Sequence, residues 1–424
     1  MTVSPSLSVL ESPQFLAGMH EPFLERASEP ECDGDGTVPL GGFLTLRFAD
    51  RAGDYKPGDE EALAYQARAT KDFLADLPPS EEVTHLRGIV RVAAAVGRGA
   101  SPHLLCAPVL AFAYWLEQEL RLTEALDVVE TAQRIKDLLP EEVVSSLLQR
   151  ARIQRLLGRL EDARRTYAAA GTRADELGDR HSALLSRIGD AIVARQLGNL
   201  PASEVALRDV LQDAEACGDK DAQARAHHDL GLVLMYRKRE QESVPHLYRA
   251  FELYEPEVHK LRALSDVGES FKRLGHYSAA ADAFALVMSG SATAQMRAYT
   301  MVALLELSAL TGDRLAFARW RREVSALEQH LPLELQVGFD LQTGLGLVGF
   351  SEHRTARRYL NAALKKAQQH GLNEYIFAAE GALAELDNKQ TRTAAAKAAA
   401  APQQYTQEVG DVAEKLCLLR SAGG

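Results

Sequence analysis

The stretch Leu261–Met288, LRALSDVGESFKRLGHYSAAADAFALVM, constrains the fold more than any other part of the chain. Leu264, Val267, Gly268 and Phe271 recur at three- and four-residue spacing, so they share one helix face. Ala280, Phe284 and Val287 do the same further along. Gly275 breaks the pattern between them, and Tyr277 follows two residues later. The reading is two amphipathic helices joined by a tight turn. Small residues, Gly268 and Ala280, stand where the helices must approach closely, and Phe271, Tyr277 and Phe284 fill the space around them. One such pair cannot bury its apolar face alone, so it must stack on copies of itself.

Copies are present. Taking the turn before the second helix as a marker, equivalent positions fall at Leu120, Gly158, Gly198, Lys238, Gly275, Gly312 and Ser351, with spacings of 38, 40, 40, 37, 37 and 39. Small residues recur on the first helices at Ala113, Ala151, Ala191, Gly231, Gly268 and Gly344. Ala125, Ala163, Ser203, Ser243, Ala280 and Ala356 match on the second helices. Four positions after each of these comes a large residue: Val129, Tyr167, Leu207, Leu247, Phe284 and Leu360. The repeat at Gly312 is the exception, with Ala316 and Ala318 out of phase. It predicts a degenerate unit or a one-residue insertion.

This order of small, large, turn, aromatic, small and large resembles the tetratricopeptide repeat (TPR), the helix–turn–helix unit of many scaffolding solenoids. The resemblance implies an all-α fold: a right-handed superhelical α-solenoid of TPR-like helix pairs, with a partly irregular N-terminal segment. The usual period is about 34 residues. The longer period here looks like that of bacterial regulatory TPR proteins, peptide-sensing ones among them. A solenoid also accommodates 424 residues without enlarging a single core.

Four regions are expected. Residues 1–58 form an irregular arm, with prolines at 5, 13, 22, 30 and 39. Within it Gly42–Asp50, GFLTLRFAD, alternates like a strand. Residues 59–100 hold helices leading into the array, one from Asp59 to Leu77 and one capped by Ser80. Residues 101–388 are the solenoid, with about seven repeats and a last helix from Asn373 to Asp387. Residues 389–424 are an Ala-rich linker, Thr391–Pro402, and an amphipathic helix marked by Val409, Val412, Leu416 and Leu419. That helix either packs back on the array or engages another chain, and self-association stays open.

The net charge of −11 argues against generic nucleic-acid binding. Cys32, Cys106, Cys217 and Cys417 form no CxxC pair, which suits thiols in a reducing compartment. The N-terminus lacks a basic region and a sustained apolar core, so no signal peptide is expected. No stretch approaches the roughly 18 apolar residues of a membrane span. A cytoplasmic protein is the expectation.

No catalytic, cofactor-binding or metal-binding constellation emerges, and none is expected. Asp33-Gly34-Asp35-Gly36-Thr37 matches a phosphatase nucleophile motif, but polar residues and Pro30 precede it where a buried strand is required. Neither ring of His227-His228 has a Cys or His at i+4, and neighbouring residues diverge by about 100° on a helix. Gly344-Leu345-Gly346 reads as helix packing rather than a dinucleotide fingerprint.

A binding surface remains. In the resembled family the first helices line the concave groove. That mapping points to Arg152, Arg155, Arg195, Arg225, His228, Met235, Arg262 and Lys272, interrupted by Glu269 and Glu306. Such a stripe suits an acidic protein or peptide segment. The alternative is that these cations pair with Asp190, Asp229, Asp266 and Glu269. The Asn and Lys of a chaperone-tail clamp are missing, with Leu148 and Arg152 at two of the relevant positions. Three classes compete: a non-enzymatic interaction scaffold, a peptide-responsive sensor acting through a separate effector, and an enzyme built on the N-terminal segment. No DNA-reading helix-turn-helix is evident in residues 1–100.

Overall fold

All seven expected turn positions have left-handed backbone, with φ of 60° at Leu120, 74° at Gly158, 82° at Gly198, 59° at Lys238, 75° at Gly275, 74° at Gly312 and 64° at Ser351. A second helix starts two residues after each of them. The computed structural model describes residues 19–28, 36–327, 331–387 and 405–423. Among these the secondary structure is helical throughout, without a strand, and the fold is an α-solenoid of TPR-like helix pairs.

The chain forms two compact units, Met1–Asn199 and Leu200–Gly424. The first contains α1 (Glu21–Ala27), α2 (Thr37–Gly53), α3 (Glu60–Ala75), α4 (Glu81–Val96), α5 (Cys106–Gln118), α6 (Leu122–Arg134), α7 (Pro140–Leu156), α8 (Leu160–Leu177) and α9 (Arg180–Gln196). The second contains α10 (Leu200–Cys217), α11 (Lys220–Tyr236), α12 (Glu240–Leu253), α13 (Glu257–Arg273), α14 (Tyr277–Ser289), α15 (Ala294–Leu310), α16 (Arg314–Ser325), α17 (Leu333–Gly349), α18 (His353–Gln369), α19 (Asn373–Asp387) and α20 (Gln407–Gly423).

In the first unit the strand expected over 42–50 is instead the middle of α2. Phe43, Leu46, Phe48, Ala49 and Ala52 are all buried, because α1, α3, α4 and α6 surround the helix. A helix covered on most sides loses its 3.6-residue signature, and the remaining alternation imitates a strand. Most of the described arm is likewise helical, in α1 and α2. Phe23 of α1 is fully buried, and its ring lies where a Cβ on Gly42 would sit, 2.6 Å away. The fully buried His20 locks this corner, with Nδ1 2.7 Å from Asp127 and Nε2 3.0 Å from Asp50. Burial opposes charge on the ring, but hydrogen bonds to the two carboxylates prevail and raise its pKa. Val9-Leu10, Cys32, Asp33 and Asp35 lie outside the described residues, as does the Ala-rich run Thr391–Pro402.

In the second unit the repeats are held by size complementarity. A Cβ on Gly231 would lie 2.6 Å from Leu247, one on Gly268 2.6 Å from Phe284, and one on Gly344 2.7 Å from Leu360. Each missing side chain on a first helix is the space its second helix fills. The aberrant repeat carries no insertion, since α16 begins two residues after Gly312, as elsewhere. Sizes are exchanged instead. Phe317 stands at the usual small position and fills the space left by Gly346 and Ala309. This also accounts for Gly344-Leu345-Gly346, since each glycine admits a different large residue.

The C-terminal helix packs back on its own unit, out of sequence order. Val409, Val412 and Leu416 of α20 are buried against α12 and α14, within the cluster that holds Leu247 and Phe284. Lys415 pairs with Glu252 at 3.5 Å, and Arg420 with Asp282 at 2.5 Å.

Two stability changes follow. Gly268→Val should cost about 1–3 kcal/mol through overpacking against Phe284, measured by urea denaturation. Lys238→Gly should stabilise by about 1 kcal/mol, because a residue with a Cβ is strained at φ 59°. Its check is an upward shift of the urea midpoint at unchanged slope.

Candidate binding site on the first helices

Five of the expected groove residues, Arg225, His228, Met235, Arg262 and Lys272, belong to α11 and α13 of the second unit. The structure brings three of them around one aromatic residue. Tyr254 ends α12 and is buried, and its hydroxyl lies 3.2 Å from Nδ1 of His228. Nε2 of the same ring is 2.8 Å from Asp266 on α13. The Tyr254 ring also faces His259, with centroids 5.3 Å apart. Arg225, Asp221, Asp229 and Arg262 supply the surrounding charge. Burial first, then Asp229, raises the Tyr254 phenol well above its usual range. Burial, helped by Arg225 and Arg262, lowers His259.

Most expected cations are already engaged. Arg225 pairs with Asp221 one turn back on its own helix at 2.7 Å. Lys272 is buried between Glu269, at 2.7 Å, and Glu306 on α15. Burial works against its charge, and the two glutamates outweigh it and raise its pKa. Glu269 and Glu306 therefore hold the stripe together rather than interrupt it. Met235 is buried, and its sulfur accepts from Ser270 at 3.4 Å. Arg262 is exposed and makes no ion pair among the described residues. Met235 lies seven residues beyond His228, about 10 Å along the helix.

In the first unit Arg152 on α7 donates to Glu117 on α5 at 2.6 Å and stacks over Tyr114 at 5.3 Å. Arg155 reaches Tyr167, while its buried Nε finds no hydrogen-bond partner among the described residues. Arg195 is half-buried on α9. A rule joins three of the engaged cations. Arg152–Glu117, His228–Asp266 and Lys272–Glu306 span 35, 38 and 34 residues, one repeat in each case. Each bridge crosses between neighbouring first helices. The stripe is thus a set of inter-repeat ties, with Arg262 left open beside the Tyr254 cluster. The sequence reading missed Tyr254 and His259, since both fall around the inter-repeat loop outside the first-helix positions. An aromatic in that loop was the available signal.

His227 points elsewhere. Its Nδ1 lies 2.8 Å from Nδ1 of His246 on α12. Burial, with the neighbouring ring and Arg249, lowers His227 to about 4, and burial with Arg208 lowers His246 to about 4. No group of three or more metal-ligating side chains occurs among the described residues. No helix there is long and apolar enough to cross a membrane.

No family model matches the sequence, and no curated protein matches it. Similar solved structures include the Rap conjugation gene regulator of the plasmid pLS20 in complex with the Phr* peptide. The two chains share 12% identity and a TM-score of 0.52, over 80% of this chain and 98% of that one. The apo form of the quorum sensor NprR from B. thuringiensis shares 10% identity and a TM-score of 0.51, over 78% of this chain and 97% of that one. At such identities the likeness is one of fold: a TPR-like protein similar to bacterial regulatory TPR proteins.

The histidine pair gives a pH prediction. Both rings are lowered in the folded state, so the unfolded chain binds protons first as pH falls. Stability should be complete above about pH 6.5 and decline between 6.5 and 4. The loss by pH 5 is on the order of 2 kcal/mol for each ring. Urea midpoints at pH 7.5 and 5 measure it, and His246→Gln should reduce the difference.

Proposed function

We propose that this protein is a non-enzymatic interaction scaffold, bacterial and cytoplasmic, that binds a peptide or protein segment on the first-helix face of its second unit. The observation that carries the reading is the cluster around Tyr254. It combines an exposed guanidinium without an ion pair, Arg262, with half-buried Arg225 and His259 and a buried tyrosine anchor. Such a mixture of one open charge and partly desolvated polar groups suits recognition of an extended segment carrying a carboxylate, from an acidic side chain or a chain terminus. No nucleophile–base pair is needed to account for it.

Sidedness supports the same face. In the second unit α20 packs mainly on α12 and α14, the second helices, rather than on α11 and α13. A second reading, a peptide-responsive sensor acting on a separate effector, is favoured by the fold likeness to a regulator solved with a peptide and to a quorum sensor. The two readings differ in output and share the binding face.

Selection of a random peptide library on the whole protein tests both. Enriched peptides should carry a carboxylate and lose roughly tenfold or more in affinity for Arg262→Glu, the scale of one charge-assisted hydrogen bond. Compaction on peptide binding, read by small-angle scattering, would favour the sensor, and an unchanged radius the scaffold. Peptides that bind Arg262→Glu as tightly as the parent would place the site elsewhere.

A further inference from the structure

A cleft of about 840 Å3 lies between α3 and α4 in the first unit, far in sequence from the Tyr254 cluster. Its walls are one face of each helix. On α3 the lining residues recur at 64, 67, 68, 71, 74 and 75, on α4 at 87, 90, 91 and 94, and at 97 and 98 in the turn just beyond α4. Both sets follow the three- and four-residue spacing of a single helix stripe. The floor is apolar and shallow-sided, with Leu74 and Val90 buried at the base and Ala67 and Ala94 beside them. The rim is basic: Arg68 and Lys71 on one wall, Arg87, Arg91 and Arg98 on the other. All five are exposed.

No carboxylate lines the cleft, although the chain has 59 acidic residues against 48 lysines and arginines. Arg87 donates to the carbonyl of Leu74 at 2.7 Å. Arg68, Lys71, Arg91 and Arg98 form no ion pair among the described residues. This contrasts with the first-helix stripe, where carboxylates engage Arg152, Arg225, His228 and Lys272. Unbalanced charge around an apolar groove is the complement of an anionic amphipathic ligand.

We propose that the α3–α4 cleft docks an acidic amphipathic helix of a partner protein. Arg87 to Val96 spans nine residues, about 14 Å of helix axis, or two to three turns of an incoming helix, and Arg98 follows in the turn beyond. Cations stand on both walls along that length rather than at one end. That pattern matches carboxylates flanking an apolar stripe on both sides, the helix-in-groove mode of recognition. A ligand with a single anionic headgroup would call for clustered cations. A single-stranded nucleic acid would call for aromatic stacking platforms, and no aromatic residue lines the cleft. Small floor residues leave room for leucine-sized side chains from the incoming helix, as Gly268 does for Phe284.

The test uses the full chain and a labelled 20-residue helical probe with leucines on one stripe and glutamates flanking it. A control peptide has every glutamate replaced by lysine. In fluorescence anisotropy the glutamate probe should bind at least tenfold tighter than the lysine probe and weaken as salt rises. Arg68→Glu with Arg91→Glu reverses one charge on each wall at exposed positions that hold no ion pair, so the fold should persist, checked by an unchanged thermal transition. This variant should bind the glutamate probe at least tenfold more weakly and now prefer the lysine probe. Arg354→Glu, at an exposed position on α18 outside both candidate sites, should bind as the parent does, which excludes a general effect of reversed charge. Equal binding of both probes, or no inversion in the double variant, overturns the proposal. So does displacement of the probe by anionic phospholipid vesicles or a single-stranded oligonucleotide as readily as by unlabelled probe. Self-association of the parent that the double variant abolishes would assign the cleft to a second copy and overturn it equally.

Discussion

The array depends on two helices approaching more closely than ordinary side chains allow. At Gly231, Gly268 and Gly344 the first helix gives up a side chain, and Leu247, Phe284 and Leu360 of the second helix take its place. Volume is the conserved quantity rather than position. Phe317 shows this by standing where the other repeats are small and using the space at Gly346 and Ala309. Interiors packed at crystal-like density tolerate such an exchange only when the total volume is kept. The left-handed turn then fixes the angle at which each second helix departs. The turn is formed even at Leu120, Lys238 and Ser351, where the backbone pays for a side chain. Packing of the two helices therefore outweighs the local cost of about 1–2 kcal/mol at each of those turns.

What was legible in the sequence is what is local. Turn positions, small and large positions and the bounds of Asn373–Asp387 all sit within one repeat, where periodicity reports them directly. Two kinds of information were out of reach. Burial on several sides erased the helical period of α2, so Phe43, Leu46 and Phe48 read as a strand. The other was which carboxylate each groove cation takes, although Asp266 and Glu269 stood among the candidates. Spacing places Arg152, His228 and Lys272 on first helices, but their carboxylates lie 34 to 38 residues away on a neighbouring helix. Single-repeat patterns carry no record of that pairing.

Those ties change what the first-helix face can do. A buried lysine between two glutamates, as at Lys272, is costly to separate from either, since removal of one partner leaves charge uncompensated. Its role is register between repeats, and it is a poor candidate for ligand exchange. The proposed recognition therefore rests on groups whose charge is not committed, which in this unit means Arg262 and the partly exposed residues around Tyr254. A basic stripe in sequence thus becomes a mostly neutral face with one open cation.

The seat of α20 completes the asymmetry of the second unit. Its three apolar anchors, Val409, Val412 and Leu416, lie at i, i+3 and i+7, so they form one stripe and enter the shared core of α12 and α14. The flanking pairs Lys415–Glu252 and Arg420–Asp282 fix its direction along that surface. Asp282 is nearly buried, and its charge would be expensive without Arg420. A helix held by both apolar and charged contacts competes with any ligand for the same surface. A partner approaching these second helices must therefore displace a segment tethered to the same chain, at high effective concentration. On the first-helix side no such competitor is present among the described residues. On the proposed reading, the energetic asymmetry between the two faces, more than the charge of either, would direct binding in this unit to α11 and α13.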